Sequence, residues 1–464
     1  MTTASTKTPP KTITLPQFDH QPAPYTGPSR DEVIALRRQY LSPGLLTYYA
    51  EPLMIVEGKM QYVFDETGKR YLDAFAGIVT VSVGHCHPSV IEKVEAQNKT
   101  LQHTTTIYLH PTIARFAEKL AEKMPTSPDG HPLDKTYFTN SGSEANELAI
   151  LSAREHTGHH DVIALRNGYH GGTANTMGLT AHGTWRFKSN QAPAIHHTHP
   201  GYCYRCPYGL TYPSCDVKCA HDLKHVIEYE TCGEIAAFIG EPIQGVGGAV
   251  VPPPEFFDIV YKIVREHGGL CIADEVQGGF GRTGSRYWAH QNWGVQPDIV
   301  TMAKGIGNGA PLAAMTTTEP VSQAMAHRIH FNTYGGNPIS VTQGLATLEV
   351  IDAEGVRENA AVVGAYLKEA LLDLQQRQPM IGDVRGMGLM LGVELVTDRL
   401  SKAPAKAECA AVVERAKQMG LLLGKGGLHG NTIRLKPPMC ITKDDADFIV
   451  DVLDECLTHA APGQ

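Results

Sequence analysis

Three short runs of the sequence set reactive side chains where a strand would end. In Asp298-Ile299-Val300-Thr301-Met302-Ala303-Lys304-Gly305, a lysine directly follows an apolar run. An unpaired ammonium is costly to bury, and a desolvated lysine loses its proton readily, which makes it a nucleophile toward carbonyls. A lysine snorkelling from a strand edge would look the same in sequence. In Cys271-Ile272-Ala273-Asp274-Glu275-Val276-Gln277, an apolar strand closes on two carboxylates. Asp274 there can face a cationic ring nitrogen and Gln277 can hydrogen-bond a neighbouring oxygen, although a structural ion pair could also employ the aspartate. In Asn140-Ser141-Gly142-Ser143-Glu144-Ala145-Asn146, a strand end turns tightly into a helix. Free amides at a helix N-terminus, with serine hydroxyls beside them, suit a phosphate. The plainer alternative is an ordinary cap at Ser143, with Gly142 supplying the turn.

Together the three runs ask for one ligand. A phosphate seat, a carboxylate for a ring nitrogen and an imine-forming lysine are the requirements of pyridoxal phosphate. The elements that position them are legible as apolar runs and helical spacing. Lys135–Thr139, Val162–Arg166, Ile235–Gly240, Leu270–Ala273 and Ile299–Met302 read as strands, and Ser143–His156 and Pro254–His267 as helices. The second helix carries Phe256, Phe257, Val260, Ile263 and Val264 on one face. Continuous apolar strands alternating with helices predict an α/β fold, a large doubly wound domain on a central, mostly parallel sheet. In such sheets ligands sit beyond the carboxyl ends of the strands.

After about Phe331 the pattern becomes that of a smaller α+β domain. Helices are expected over Ile339–Ile351, Ala360–Leu374, Ala407–Met419 and Lys443–Leu457, around strands Met390–Val396 and Thr432–Leu435. The division expected is an N-terminal arm over 1–60, a large domain over 61–330 and a small domain over 331–464. Within the large domain, about 183–232 reads as an irregular insert rich in His and Cys.

Composition narrows the function classes. At 464 residues, 42 % apolar and 19 % charged, the chain is globular and long enough for two or three folding units. Forty Lys and Arg against 48 Asp and Glu leave −8, with no basic block, so nucleic acid is not an expected partner. No apolar run approaches the length of a membrane span. The first thirty residues hold six Pro and seven Thr, without the apolar run of a secretory signal or the Arg-rich helix of a transit peptide. This arm is expected to be extended, and the protein cytoplasmic.

The run IADEVQGGFGRTG, with Lys304 in MAKGIGNG thirty positions after Asp274, resembles the signature of class III aminotransferases of the fold-type I pyridoxal-phosphate enzymes. The likeness extends from about Tyr48 to Cys456. Gly77–Pro88 (GIVTVSVGHCHP), Glu241–Gly245 (EPIQG), Asn332–Pro338 (NTYGGNP), Ile381–Gly388 (IGDVRGMG) and Met439–Thr442 (MCIT) resemble the branch acting on alanine and glyoxylate, or on β-amino acids and pyruvate. The resemblance implies an amino transfer to a short 2-oxo acid in two half-reactions. It implies that Lys304 holds the cofactor and shuttles a proton, Asp274 keeps the pyridine nitrogen protonated, and Gln277 meets the phenolic oxygen. Ser141, Gly142 and Ser143 would bind the phosphate, Tyr169 would stack on the ring, and His170 and Glu241 would join the cofactor site. Thr333 would reach the phosphate of a partner subunit, making a homodimer or a dimer of dimers. Arg434 would bind the substrate carboxylate.

Two positions depart from the family pattern. Gly278 stands where many relatives have Thr, and Val246 where many ω-amino enzymes have a Glu that pairs with the carboxylate-binding Arg. A rival on the same scaffold is a lyase that eliminates phosphate from a phosphorylated amine. The insert raises a separate matter: Cys203, Cys206, Cys215 and Cys219 have ligand types and near spacings compatible with zinc, or they fill an irregular loop as small apolar residues. The run His196-His197-x-His199 reads as a polar loop.

Overall fold

The computed structural model describes residues 13–188 and 192–460. The expectations for the arm, the insert and the small domain therefore lie in part (1–12, 189–191 and 461–464) outside the described residues.

Seven strands form the central sheet: β1 Lys135–Thr139, β2 Val162–Leu165, β3 Ile195–Thr198, β4 Ala237–Gly240, β5 Leu270–Asp274, β6 Ile299–Met302 and β7 Ala313–Thr317. Their order is β1-β7-β6-β5-β4-β2-β3. The run from β6 to β3 is parallel, while β7 is antiparallel to both β6 and β1. Strands β2, β4 and β6 are buried along their whole length, which is why they read as unbroken apolar runs. Helix Gly142–Thr157 lies on one face, and helices Phe256–Glu266 and Lys218–Glu230 lie together elsewhere on the sheet. Phe256, Phe257, Val260, Tyr261, Ile263 and Val264 are the buried positions of the first of this pair.

Two strands of this central sheet are not legible in the sequence, for opposite reasons. Strand β7 (AAMTT) is fully buried although it ends in threonines. Thr316 pairs its hydroxyl with Thr136 at 2.9 Å, and Thr317 donates to the Asp298 carbonyl at 2.8 Å. Strand β3 sits at the sheet edge inside the segment expected to be irregular. Its His196 is held by Asp161 at 2.8 Å and Glu230 at 3.2 Å, so the histidine run is an edge strand and not a loop. The insert is also tied down across the molecule. Buried Glu394 accepts from Tyr202, from Arg205 at 2.5 Å and from Arg385 at 2.7 Å.

Residues 55–73 form a three-stranded antiparallel meander that Leu421–Leu422 joins in parallel register beside Leu72 and Asp73. Ile381–Met387, Met390–Asp398, Thr432–Leu435 and Gly424–Gly426 form a further sheet, flanked by helices Val356–Arg377, Lys406–Gln418 and Lys443–Ala460. The described part of the arm lies on the body, with Ile13, Leu15 and Phe18 packed on the core and the Pro16 carbonyl accepting from Arg70 at 2.6 Å. From Arg30 to Tyr40 it is helical, opened by a capping box between Ser29 and Glu32.

Candidate active site

The carboxyl ends of β5 and β6 converge on a cavity of about 150 Å³ lined by Asn146, Tyr169, Glu241, Asp274, Gln277 and Lys304, among others. Asp274, 3 % exposed, closes β5. Its Oδ2 accepts from Asn146 Nδ2 at 2.9 Å and from His170 Nδ1 at 2.7 Å, while Oδ1 accepts from the Val276 amide at 3.1 Å. Burial pulls the His170 imidazole down, but its hydrogen bond to Asp274 and that residue's charge outweigh this and hold it above the ordinary histidine value. Lys304 begins the turn after β6 in the left-handed region, at φ +51°, a conformation a side-chain-bearing residue adopts at a cost of roughly 1–2 kcal/mol. Burial holds its ammonium below the ordinary lysine value, against the pull of Asp274 and Glu241.

The phosphate-seat expectation is placed but adjusted. The helix runs from Gly142 to Thr157 and its cap is Ser141, whose Oγ accepts from the Glu144 amide at 3.2 Å; Ser143 is not the cap. This leaves Gly142 and Ser143 in the first turn on the cavity wall. Ser143 Oγ accepts from the Gly172 amide at 3.1 Å. Gly171 must be glycine here: its φ is +135°, and a Cβ would fall 2.4 Å from Ser143 Oγ. Tyr169 lines the cavity and meets Trp185 edge-on at 5.4 Å between centroids. Glu241 fixes Tyr169 by accepting from its amide at 2.9 Å and the next loop through the Gly245 amide at 2.7 Å. Burial raises its carboxyl, opposed by His170 and reinforced by Asp274.

Arg434, on strand Thr432–Leu435, donates from Nε to the Lys425 carbonyl at 3.2 Å and from Nη1 to the Gly245 carbonyl at 3.4 Å, and its guanidinium lies over Phe75 at 5.0 Å. Among the described residues no carboxylate pairs with it. Val246 sits in the facing loop and accepts from the Gly427 amide at 2.9 Å. Thr333 is exposed, outside the cavity, in a loop that Asn332 anchors by accepting from Asn140 at 3.0 Å. The Gly278 departure has a packing reason: a Cβ there would meet Ala289 Cβ at 2.6 Å. Cys203, Cys206, Cys215 and Cys219 of the insert are free thiols. Among the described residues no group of three or more His, Cys, Asp or Glu is placed to hold a metal.

Sequence reasoning missed Lys436. It is fully buried and donates from Nζ to Gln277 Oε1 at 2.7 Å and to the Gly245 carbonyl at 3.1 Å. The available signal was its spacing: it lies two residues beyond Arg434, just past the end of that strand, where an extended backbone returns to the same face.

The donor set fits pyridoxal phosphate. First-turn amides of a capped helix suit a dianion, a buried carboxylate with acceptor capacity left on Oδ1 suits a pyridinium N–H, and a desolvated amine suits an aldehyde. Fold and site together define a fold-type I pyridoxal-phosphate transferase. The class-III aminotransferase family model matches residues 47–457, and the chain belongs to that family. The chain is 52 % identical to alanine–glyoxylate aminotransferase 2 homolog 2, mitochondrial, from Arabidopsis thaliana, over 95 % of this chain and 90 % of the relative. It is 42 % identical to the human mitochondrial alanine–glyoxylate aminotransferase 2, over 96 % and 90 %. Among solved structures, a phospholyase from Arthrobacter in complex with phosphoethanolamine superposes with a TM-score of 0.85 at 31 % identity, over 92 % of this chain and 99 % of that one. These relatives' names correct the cytoplasmic expectation, because both curated enzymes are mitochondrial. The composition of the first thirty residues does not carry that placement. Among the described residues no helix is long and apolar enough to cross a membrane.

Proposed function

We propose that this aminotransferase takes the amino group of alanine or a short β- or ω-amino acid and delivers it to glyoxylate or pyruvate in two half-reactions. The observation that carries the proposal is Arg434, a buried guanidinium whose partners are neutral carbonyls and a ring face, beside Lys304 and Asp274. Such a group is completed by a substrate carboxylate. The names of the curated relatives support the same donor and acceptor.

When bound, pyridoxal phosphate supplies an aldehyde for the amino group and a ring that accepts the electron pair left on the substrate α-carbon. Lys304, whose ammonium burial holds below the ordinary lysine value, would carry the proton from that carbon to the aldehyde carbon within the first half-reaction, and would run the same transfer in reverse in the second. Asp274, held by Asn146, His170 and the Val276 amide, keeps a proton on the ring nitrogen. Ser141, Gly142 and Ser143 bind the phosphate, Tyr169 covers the ring, and Gln277 donates to the phenolic oxygen. Arg434 fixes the carboxylate of both donor and acceptor. Thr333 completes the phosphate seat of a second copy in a homodimer or a dimer of dimers. Its exposure, together with exposed Leu109, Ile329, Phe331 and Tyr334, supports that role.

Elimination from a phosphorylated amine is not favoured, since the aminotransferase relatives share 52 % and 42 % identity against 31 % for the phospholyase. The test is a half-reaction: holoenzyme mixed with alanine and no acceptor should release one pyruvate per active site and change its visible spectrum once. Phosphate release from phosphoethanolamine without any oxo acid would overturn the reading.

A further inference from the structure

Among the described residues, Lys436 is the one cation bonded to the cavity lining for which the amino transfer has no stated use. It follows strand Thr432–Leu435, where its amide donates to the Ala74 carbonyl at 2.8 Å, and Pro437 and Pro438 come next. The side chain runs inward beside Arg434 and ends on two neutral acceptors, Gln277 Oε1 at 2.7 Å and the Gly245 carbonyl at 3.1 Å. No carboxylate of the described residues touches it.

A protonated lysine nitrogen has only donors to offer, and both of its bonds here run to acceptors. Burial, reinforced by the nearby Arg434 charge, pulls its ammonium well below the ordinary lysine value. The amide it grips is thereby oriented. Because Nζ–H requires an acceptor, the Gln277 atom nearest it is the oxygen, and Nε2 is the end left for the cavity that Gln277 lines. The second acceptor is equally specific. The Gly245 carbonyl also accepts from Arg434, so one amine joins the loop that steadies the substrate-facing guanidinium to the amide that faces the cofactor.

We infer that Lys436 is a positioning residue of this site: by holding Gln277 Oε1 and the Gly245 carbonyl, it turns the Gln277 amide N–H toward the phenolic oxygen of pyridoxal phosphate and keeps the Arg434 loop in register with it. The inference rests on the reading of Gln277 as a cofactor contact. A methionine fills a similar volume but cannot donate, and a glutamine restores a donor without a charge.

The test is a double-mutant cycle of Lys436→Met and Gln277→Ala, with Lys436→Gln as the conservative variant. The readouts are the visible band of the bound cofactor, the dissociation constant of pyridoxal phosphate from apoprotein by fluorescence titration, and KM separately from kcat. Thermal unfolding checks that each variant is folded. Gln277→Ala should shift the band and weaken cofactor binding. Lys436→Met should do the same by roughly three- to tenfold, the size of one lost hydrogen bond. It should add nothing in the Gln277→Ala background, and Lys436→Gln should recover part of the loss. If Gln277→Ala shifts the band and Lys436→Met does not, or if Lys436→Met has its full effect without Gln277, the positioning role is wrong. If Gln277→Ala itself changes neither band nor affinity, the reading of Gln277 falls and this inference falls with it.

Discussion

Lys304 lies between two buried groups of charge that the protein treats in opposite ways. On one side Asp274 and Glu241 are surrounded by donors: three on Asp274 from Asn146, His170 and Val276, and two backbone amides on Glu241. On the other side Arg434 and Lys436 meet neutral oxygens and, for Arg434, the face of Phe75. Burying a charge without an opposite partner is costly, so the acidic side is stable as built while the cationic side gains most from an anionic ligand. The carboxyl ends of the central strands thus hold a fixed electrostatic floor, and strand Thr432–Leu435 brings a wall that the substrate finishes.

Removing the residue between the two groups should have the largest effect. Lys304→Ala should lower transamination by at least roughly 10²–10⁴-fold, since both a positioned base and the covalent hold are lost. The variant should still bind cofactor reversibly, so that dialysis strips it. Near-native turnover would show that another amine does the work. Breaking the acidic side comes next. Asp274→Asn keeps the shape but cannot hold a cationic ring nitrogen, and a loss on the order of 10²-fold is expected with an altered cofactor spectrum. An unchanged rate and spectrum would remove Asp274 from the account.

On the cationic side, Arg434→Ala should raise KM for donor and acceptor alike by roughly ten- to a hundredfold, the worth of a charge-assisted hydrogen bond. A rise for only one of the two would mean that the other carboxylate binds elsewhere. The smallest effect concerns the floor itself. His170 has a raised pKa in the fold, so its contribution to stability is full below the ordinary value of 6.5 and is lost as pH rises through the folded value. The Tm difference between wild-type and His170→Gln apoprotein should therefore shrink as pH rises above 6.5. A constant difference from pH 6 to 9 would contradict the coupling of His170 to Asp274.

The acidic side was the legible one. Asp274 and Lys304 end apolar runs that a parallel sheet must bury, so strand, strand end and exposed chemistry could be read together. The helix after Asn140 was equally plain, although its cap fell to Ser141 because Glu144 closes back on that residue and on the Asn140 amide. What escaped were elements stabilised by pairing rather than by apolar surface. Strand β7 hides its threonines by hydroxyl bonding across the sheet, and β3 keeps histidines at an edge by carboxylate partners from remote segments. Lys436 escaped because its spacing from Arg434 was the one local mark it carried. Its partners, Gly245 and Gln277, lie far away in the chain, and a lysine before two prolines reads as an ordinary surface residue.

On the proposed reading an uncovered Arg434 selects short oxo acids, and Val246 is where that selection can be tested. Val246 occupies the loop along which Arg434 lies, and it cannot cover the guanidinium as a carboxylate would. Burial lowers the pKa of nearby His182 below the ordinary histidine value. The decisive measurement is kcat/KM for glyoxylate, pyruvate and 2-oxoglutarate with one β-amino acid donor, in wild type and in Val246→Glu. The account predicts that either short acid outperforms 2-oxoglutarate in the wild type, and that Val246→Glu narrows the gap. A clear wild-type preference for 2-oxoglutarate would contradict it.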